Sequence, residues 1–153
     1  MRGEHASTPC NQASRADEVD FHDVSELFGA LCPCGSGAVH QACCGPLLHG
    51  ERQASTAEEL MRSRYSAYAC GDADYLFRTW HPRTRPVEVT VDPAVVWTGL
   101  EVLAAAAGGP DDEIGEVEFT AHFKAGGRAD SMHERSRFQR RAGRWFYVDA
   151  VPD

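Results

Sequence analysis

Residues 32–45 read Cys-Pro-Cys-Gly-Ser-Gly-Ala-Val-His-Gln-Ala-Cys-Cys-Gly. No other stretch constrains the fold of this chain as tightly. A C-x-C pair in an extended turn aims its two side chains the same way. Gly35 and Gly37 permit the tight return that brings Cys43 and Cys44 back, with backbone N–H groups free to bond sulfur. Tetrahedral Zn²⁺ takes four soft ligands at about 2.3 Å. Cys32, Cys34, Cys43 and Cys44 are therefore expected to hold one structural zinc ion per chain. The competing readings are disulfides and a redox pair. A redox motif has no need of four thiols at this glycine spacing, and the disulfide reading turns on compartment. Met1 to Glu26 carries Glu4, Asp17, Glu18, Asp20, Asp23 and Glu26 with no apolar run, which does not fit a secretory signal. Nor does any stretch approach the roughly 20 apolar residues of a membrane span. A cytoplasmic location with reduced thiols is the expectation, and a membrane is not expected as a partner.

Fifteen Lys and Arg face 23 Asp and Glu, for a formal net charge of -8. Such a surface repels a phosphate backbone, so nucleic acid is not expected as the main partner. Arg135, Arg137, Arg140, Arg141 and Arg144 are the local exception and could form a basic patch.

Three segments separate along the chain. Residues 1–30 are polar and acidic without a sustained period and read as a disordered leader, with at most a short helix near Ser25 to Phe28. Residues 31–50 form the cysteine knuckle, and residues 54–153 carry the pattern of a packed domain. Thr56 with Glu59 is a capping-box signature, followed at helical spacing by Leu60, Met61, Arg64, Tyr65 and Tyr68, with Gly71 placed to end the helix. Asp72 is expected to cap a second helix through Trp80 that Pro82 stops. Alternation marks strands at 87–91, 117–123, 132–138 and 145–148, and Gly126-Gly127 and Ala142-Gly143 are hairpin turns. Residues 94–107 are ambiguous: Val95-Val96-Trp97 reads as an extended or short helical entry, Leu100–Leu103 as a strand, and Ala104–Ala107 as a helix turn or loop. Two helices followed by an antiparallel meander define an α+β domain with one sheet face buried on the helices.

The run Cys-Pro-Cys-Gly-Ser-Gly, with eight residues between Cys34 and the Cys43-Cys44 pair, resembles the SEC-C motif, a zinc knuckle familiar from the tail of the bacterial translocation ATPase SecA. His40 stands where that motif usually has an aromatic, and could pack like one or compete as a ligand. The resemblance continues through Thr56–Tyr68, Trp80-His81-Pro82, Trp97-Thr98-Gly99-Leu100, Val117-Glu118-Phe119, His133–Phe138 and Trp145–Asp149. Together these resemble the YchJ family of small bacterial proteins. That likeness implies an SEC-C knuckle joined to a cystatin-like cone, the fold of nuclear transport factor two. It implies no activity.

Such a cone can enclose a pocket. Period two puts Glu134 and Ser136 on the face of Met132 and Phe138, an unusual place for polar groups. Tyr65, Tyr68, Trp80, His81 and Glu134 are the candidate pocket residues, with Glu134 as a base were the pocket catalytic. The simpler expectation is a structural ion pair between Glu134 and Arg62 or Arg64, with His81 a helix-end cap or surface residue and no catalytic residue at all. Cys70 is expected to be a packing residue and Cys10 a free thiol; His5, His22 and His49 have no identifiable partners.

A zinc ion closed by four thiolates has no open position and cannot activate water. The leading expectation is thus a non-enzymatic adaptor whose knuckle docks an unidentified protein partner, with dimerisation through the sheet a further option. The alternatives are an enzyme or small-ligand binder using the cone pocket, and a ribosome- or RNA-associated factor.

Overall fold

The computed structural model describes residues 30–152. The short helix expected near Ser25 to Phe28, and the readings of Cys10, His5 and His22, lie outside them. After the cysteine turn come a 3-10 turn at His40–Ala42, α1 (Gly45–Leu48), α2 (Ala57–Cys70) and α3 (Ala73–Arg78). Four strands follow: β1 (Val95–Ala107), β2 (Ile114–Ala125), β3 (Arg128–Arg141) and β4 (Arg144–Ala150).

Local chemistry sets the helix ends. Thr56 Oγ1 accepts from the Glu59 N–H at 3.0 Å, while the Glu59 carboxylate accepts from the Ser55 N–H at 2.8 Å. The reciprocal bond therefore reaches one residue further back than in the usual capping box. Gly71 ends α2 at φ 77°, and Asp72 Oδ1 caps α3 by accepting from Tyr75 N–H at 3.0 Å. α3 stops at Arg78, short of the expected Trp80.

The strands pair antiparallel in the order β1-β2-β3-β4, an uninterrupted meander. Gly126 and Gly127 both have positive φ, as do Ala142 and Gly143. This is the backbone of a two-residue hairpin turn that follows sheet twist. β1 resolves the ambiguous region: it is one 13-residue strand, with breaks in register at Trp97/Gly99 and Val102/Ala104. Ala104–Ala107 pair with Gly115–Glu118, so ladder bonding overrides the helical bias of four alanines. The expected strand at 87–91 does not form. Val89 and Val91 pack on the core while Val87 is exposed, and the segment runs between Pro86 and Pro93, neither of which can donate to a ladder.

α2 lies across the concave sheet face, burying Leu60, Met61, Tyr65 and Ala67 against Val117, Ala121, Phe138 and Trp145. Its start is held by a close approach of two glycines. The Ala57 N–H donates to Gly108 O at 2.9 Å, and a Cβ on Gly115 would fall 2.5 Å from Gly108 Cα. Beyond α3 the chain turns extended and adds to β4: His81 N–H donates to Tyr147 O and Tyr147 N–H to Thr79 O, each at 2.8 Å. This parallel bridge sets Trp80 edge-on to Tyr147 and closes one side of the cone.

The knuckle shares this core. Cys32, Cys34, Cys44, Leu47 and Leu48 belong to the same buried apolar cluster as α2 and the sheet.

Candidate functional sites

Two places bring chemistry-bearing residues together. In the first, the sulfurs of Cys32, Cys34, Cys43 and Cys44 all lie within 4.8 Å of one another. The turn that gathers them relies on Gly35 and Gly37 at φ 80° and 88°, on the Cys32 N–H to Ala38 O bond at 2.8 Å, and on Gly45, where a Cβ would meet His40 O at 2.8 Å. A tetrahedral ion held by thiolates at about 2.3 Å separates its sulfurs by about 3.8 Å. Cys34 and Cys43 stand 3.6 Å apart, Cys43 and Cys44 4.0 Å. The donor set fits a metal, and nothing but sulfur belongs to it among the described residues.

The surroundings suit that charge. His40 is buried, with Nδ1 3.3 Å from Cys32 Sγ, so its ring both packs and can donate to the sulfur. Ser36 Oγ is 3.1 Å from Cys43 Sγ, Ser66 Oγ 3.5 Å from Cys32 Sγ, and Arg62 Nη1 donates to Cys34 O at 2.8 Å. Hydrogen bonds from Cys34 and Cys44 hold the Cys32 thiol far below its ordinary value, and the same bond to Cys32 pushes Cys44 up. Burial raises Cys43 to about 11. Four thiolates together require a counter-charge such as a metal ion.

The second site is a cavity of about 210 Å³ between α2 and the sheet. Tyr65, Tyr68, Trp80 and Glu134 line it as a group, joined by Arg64, Trp97, Phe119, Ser136 and Tyr147. His81 does not. In the extended bridge Trp80 and His81 point opposite ways; His81 is 4% exposed, its Nδ1 accepts from the Arg83 N–H, and its ring lies against Phe146. It lies outside this cavity, among Pro82, Arg83, Gln139 and Arg141, and is not a surface residue.

The expected ion pair of Glu134 with Arg62 or Arg64 is absent among the described residues. Glu134 Oε2 accepts from Ser136 Oγ at 2.7 Å and from Tyr147 Oη at 3.0 Å. Two positions apart on α2, the arginines point about 200° away from each other. Arg62 faces the knuckle and pairs with Glu58 at 3.1 Å. Arg64 faces α3, where Nη1 donates to Leu76 O at 2.9 Å and to Thr79 Oγ1 at 2.7 Å. Its guanidinium carbon sits 5.0 Å from the Trp80 ring centre and 4.6 Å from that of Tyr147. Burial lowers the pKa of Arg64, opposed by Tyr68, Tyr147, Tyr75 and Glu134. Burial, and then the Glu134 charge, raises Tyr147, and burial takes Tyr65 to about 12. Sequence reasoning missed Trp97 and Tyr147 as lining residues. Trp97 lay in the ambiguous segment, whereas Tyr147 carried a readable signal in its alternation with Phe146 and Val148.

The arginines of β3 and its turn are largely matched by carboxylates. Arg135 reaches Glu118 at 3.5 Å, Arg137 binds Asp149 at 2.7 and 2.8 Å, and Arg140 lies 4.0 Å from Glu113 and stacks over Trp145. Among the described residues no helix is long and apolar enough to cross a membrane.

A four-cysteine knuckle fused to a helix-on-meander cone defines a class: SEC-C motif proteins with an NTF2-like domain. The SEC-C motif matches residues 30–46, and the middle NTF2-like domain of YchJ matches residues 56–150. The chain belongs to the YchJ family. It is 51% identical to a UPF0225 protein of Streptomyces coelicolor, over 77% of this chain and 92% of that one. It is 52% identical to a UPF0225 protein of Chromobacterium violaceum, over 80% and 93%. The solution structure of an SEC-C motif containing protein from Rhodopseudomonas palustris superposes with a TM-score of 0.70 at 39% identity, covering 80% of this chain and 98% of that one. A crystal structure of an SEC-C motif containing protein from Psychrobacter arcticus gives 0.65 at 28% identity, covering 83% and 86%.

Proposed function

We propose that the chain is a cytoplasmic, non-enzymatic binding module in which Cys32, Cys34, Cys43 and Cys44 hold one structural Zn²⁺ and the knuckle around them is the docking surface for a protein partner. The observation that carries this reading is the closed sulfur cluster, with all four ligand atoms within 4.8 Å of one another. Four thiolates saturate zinc, leaving no position for water or substrate. The metal then serves to fix a loop whose outward residues include Leu31, 65% exposed beside the buried cluster. Exposed apolar side chains on a rigid small motif are the usual material of a protein-binding surface. Net charge of -8 and the carboxylate partners of Arg135, Arg137 and Arg140 speak against a polyanion as that partner.

The test compares three forms of the full chain as bait in cell extract: native, Leu31→Asp, and Cys34→Ser with Cys43→Ser. Leu31→Asp keeps every ligand, so its zinc content should remain one per chain while the captured partner is lost. Equal capture by native and Leu31→Asp proteins would remove the knuckle from the docking role. A catalytic use of the cone is the second reading, favoured by the freedom of Glu134 from any arginine ion pair among the described residues.

A further inference from the structure

Two polar groups beside the cavity are costly for the fold alone. Trp80 Nε1–H is buried with no hydrogen-bond partner among the described residues. A buried donor left unmade is a penalty that native proteins rarely carry without a reason. Arg64 is 6% exposed, and no carboxylate lies within ion-pair distance of it among the described residues. Its bonded acceptors, Leu76 O and Thr79 Oγ1, are neutral. A guanidinium stays protonated, and here its charge is met by those neutral acceptors and the ring faces of Trp80 and Tyr147, with no carboxylate in contact. Glu134 does not meet it by contact, because its Oε2 is taken up by the hydroxyls of Ser136 and Tyr147. The rest of the wall is mostly apolar, the rings of Tyr65, Tyr68, Trp97 and Phe119 lying among Met61, Ala121 and Met132.

From these groups we infer that the cavity is a binding site for a small organic acid, a monocarboxylate carried on a single planar ring. The carboxylate takes the place of the missing counter-ion on Arg64 and accepts from the Trp80 N–H, while the ring lies against Tyr65, Tyr68 and Trp97. The volume of about 210 Å³ equals that of roughly seven liquid waters. That is below the ~300–1,000 Å³ of sites for drug-sized ligands, which limits the occupant to one ring and a short acid. Glu134 adds a second limit. Its negative charge in the same wall disfavours a dianion and any acid with a second carboxylate. A cationic ligand would also meet aromatic faces, but it would meet Arg64 as a like charge and leave the Trp80 donor unmade. This inference is independent of the knuckle's role and would stand if the docking surface were elsewhere.

The experiment is a ¹H–¹⁵N NMR titration of the intact chain with sodium benzoate, benzamide as the neutral isostere, phthalate as the dianion and benzyltrimethylammonium as the cation. The expected result is saturable benzoate binding that shifts the Trp80 indole N–H, with benzamide, phthalate and the cation each at least about tenfold weaker. Arg64 also secures α3, so the informative variants leave it in place. Trp80→Phe keeps a ring against Tyr147 but removes the donor together with part of the aromatic face; benzoate should weaken by about tenfold, and by more than benzamide does. Glu134→Gln removes the opposing charge while still accepting from Ser136 and Tyr147; benzoate should tighten several-fold. The assignment is overturned if benzoate gives no saturable shift at Trp80, or if benzamide or the cation binds as tightly. Unchanged benzoate affinity in Trp80→Phe, or weakened benzoate affinity in Glu134→Gln, would overturn it as well.

Discussion

Arg62 on α2 donates through Nη1 to the carbonyl oxygen of Cys34 at 2.8 Å, joining helix and knuckle across 28 residues of sequence. Cys34 is one of the proposed ligands, so the bond ties the metal loop's backbone to the cone. Replacing Arg62 by Met removes a charge-assisted bond and leaves the Cys34 carbonyl short of a partner. The expected loss is about 1–2 kcal/mol of unfolding free energy, with faster amide exchange in residues 32–44 than in the sheet. Uniformly faster exchange, or none, would mean that the knuckle is held by its apolar packing alone.

The second expectation concerns the docking of α2 on the sheet. A methyl on Gly115 would lie 2.5 Å from Gly108 Cα and 2.9 Å from Gly108 N, backbone that cannot yield without moving the Ala57 bond to Gly108 O. Gly115→Ala should destabilise by about 2–3 kcal/mol, a fall on the order of 8 °C in Tm. Gly109→Ala is the control: its new Cβ meets only Asp112 Oδ2 at 3.5 Å, and its Tm should stay near that of the parent.

Glu59 gives a pH dependence of known sign. Burial alone would raise its pKa, but the hydrogen bonds from Arg52 and Ser55 outweigh it and the net shift is downward. Stability from a depressed carboxyl pKa is present above the unfolded value of about 4.3 and is lost as pH falls through the folded one. Glu59→Gln should therefore cost about 1 kcal/mol near neutral pH, and its difference from the parent should shrink below about pH 4. A difference that is constant with pH would assign the effect to packing instead of charge.

What the sequence made legible was local. Thr56, Glu59, Gly71 and Asp72 each act within four residues, and each cap forms where its residue type indicates. The cysteine knuckle is likewise a matter of short spacing, and its four sulfurs converge. What was hidden depends on partners distant in the chain. Ala104–Ala107 become strand only because β2 pairs with them, and that strand in turn sets Trp97 against Tyr65 and Tyr68. Val87–Val91 has the alternation of a strand and no ladder to join. The fate of Glu134 turned on the rotational phase of α2, which directs Arg62 to the knuckle and Arg64 to α3. Periodicity sets that phase only to within a residue or so, enough to exchange one arginine for another.

The most direct test of the zinc site is zinc-edge X-ray absorption on the purified native chain, alongside its metal content. One zinc per chain, with four sulfur neighbours near 2.3 Å and no nitrogen shell, is the expected result. In Cys34→Ser with Cys43→Ser, stoichiometric zinc should be gone. A native site with three sulfurs and one nitrogen would make His40 a ligand in place of a cysteine. Zinc retained at one per chain by the double variant would contradict the four-cysteine site outright.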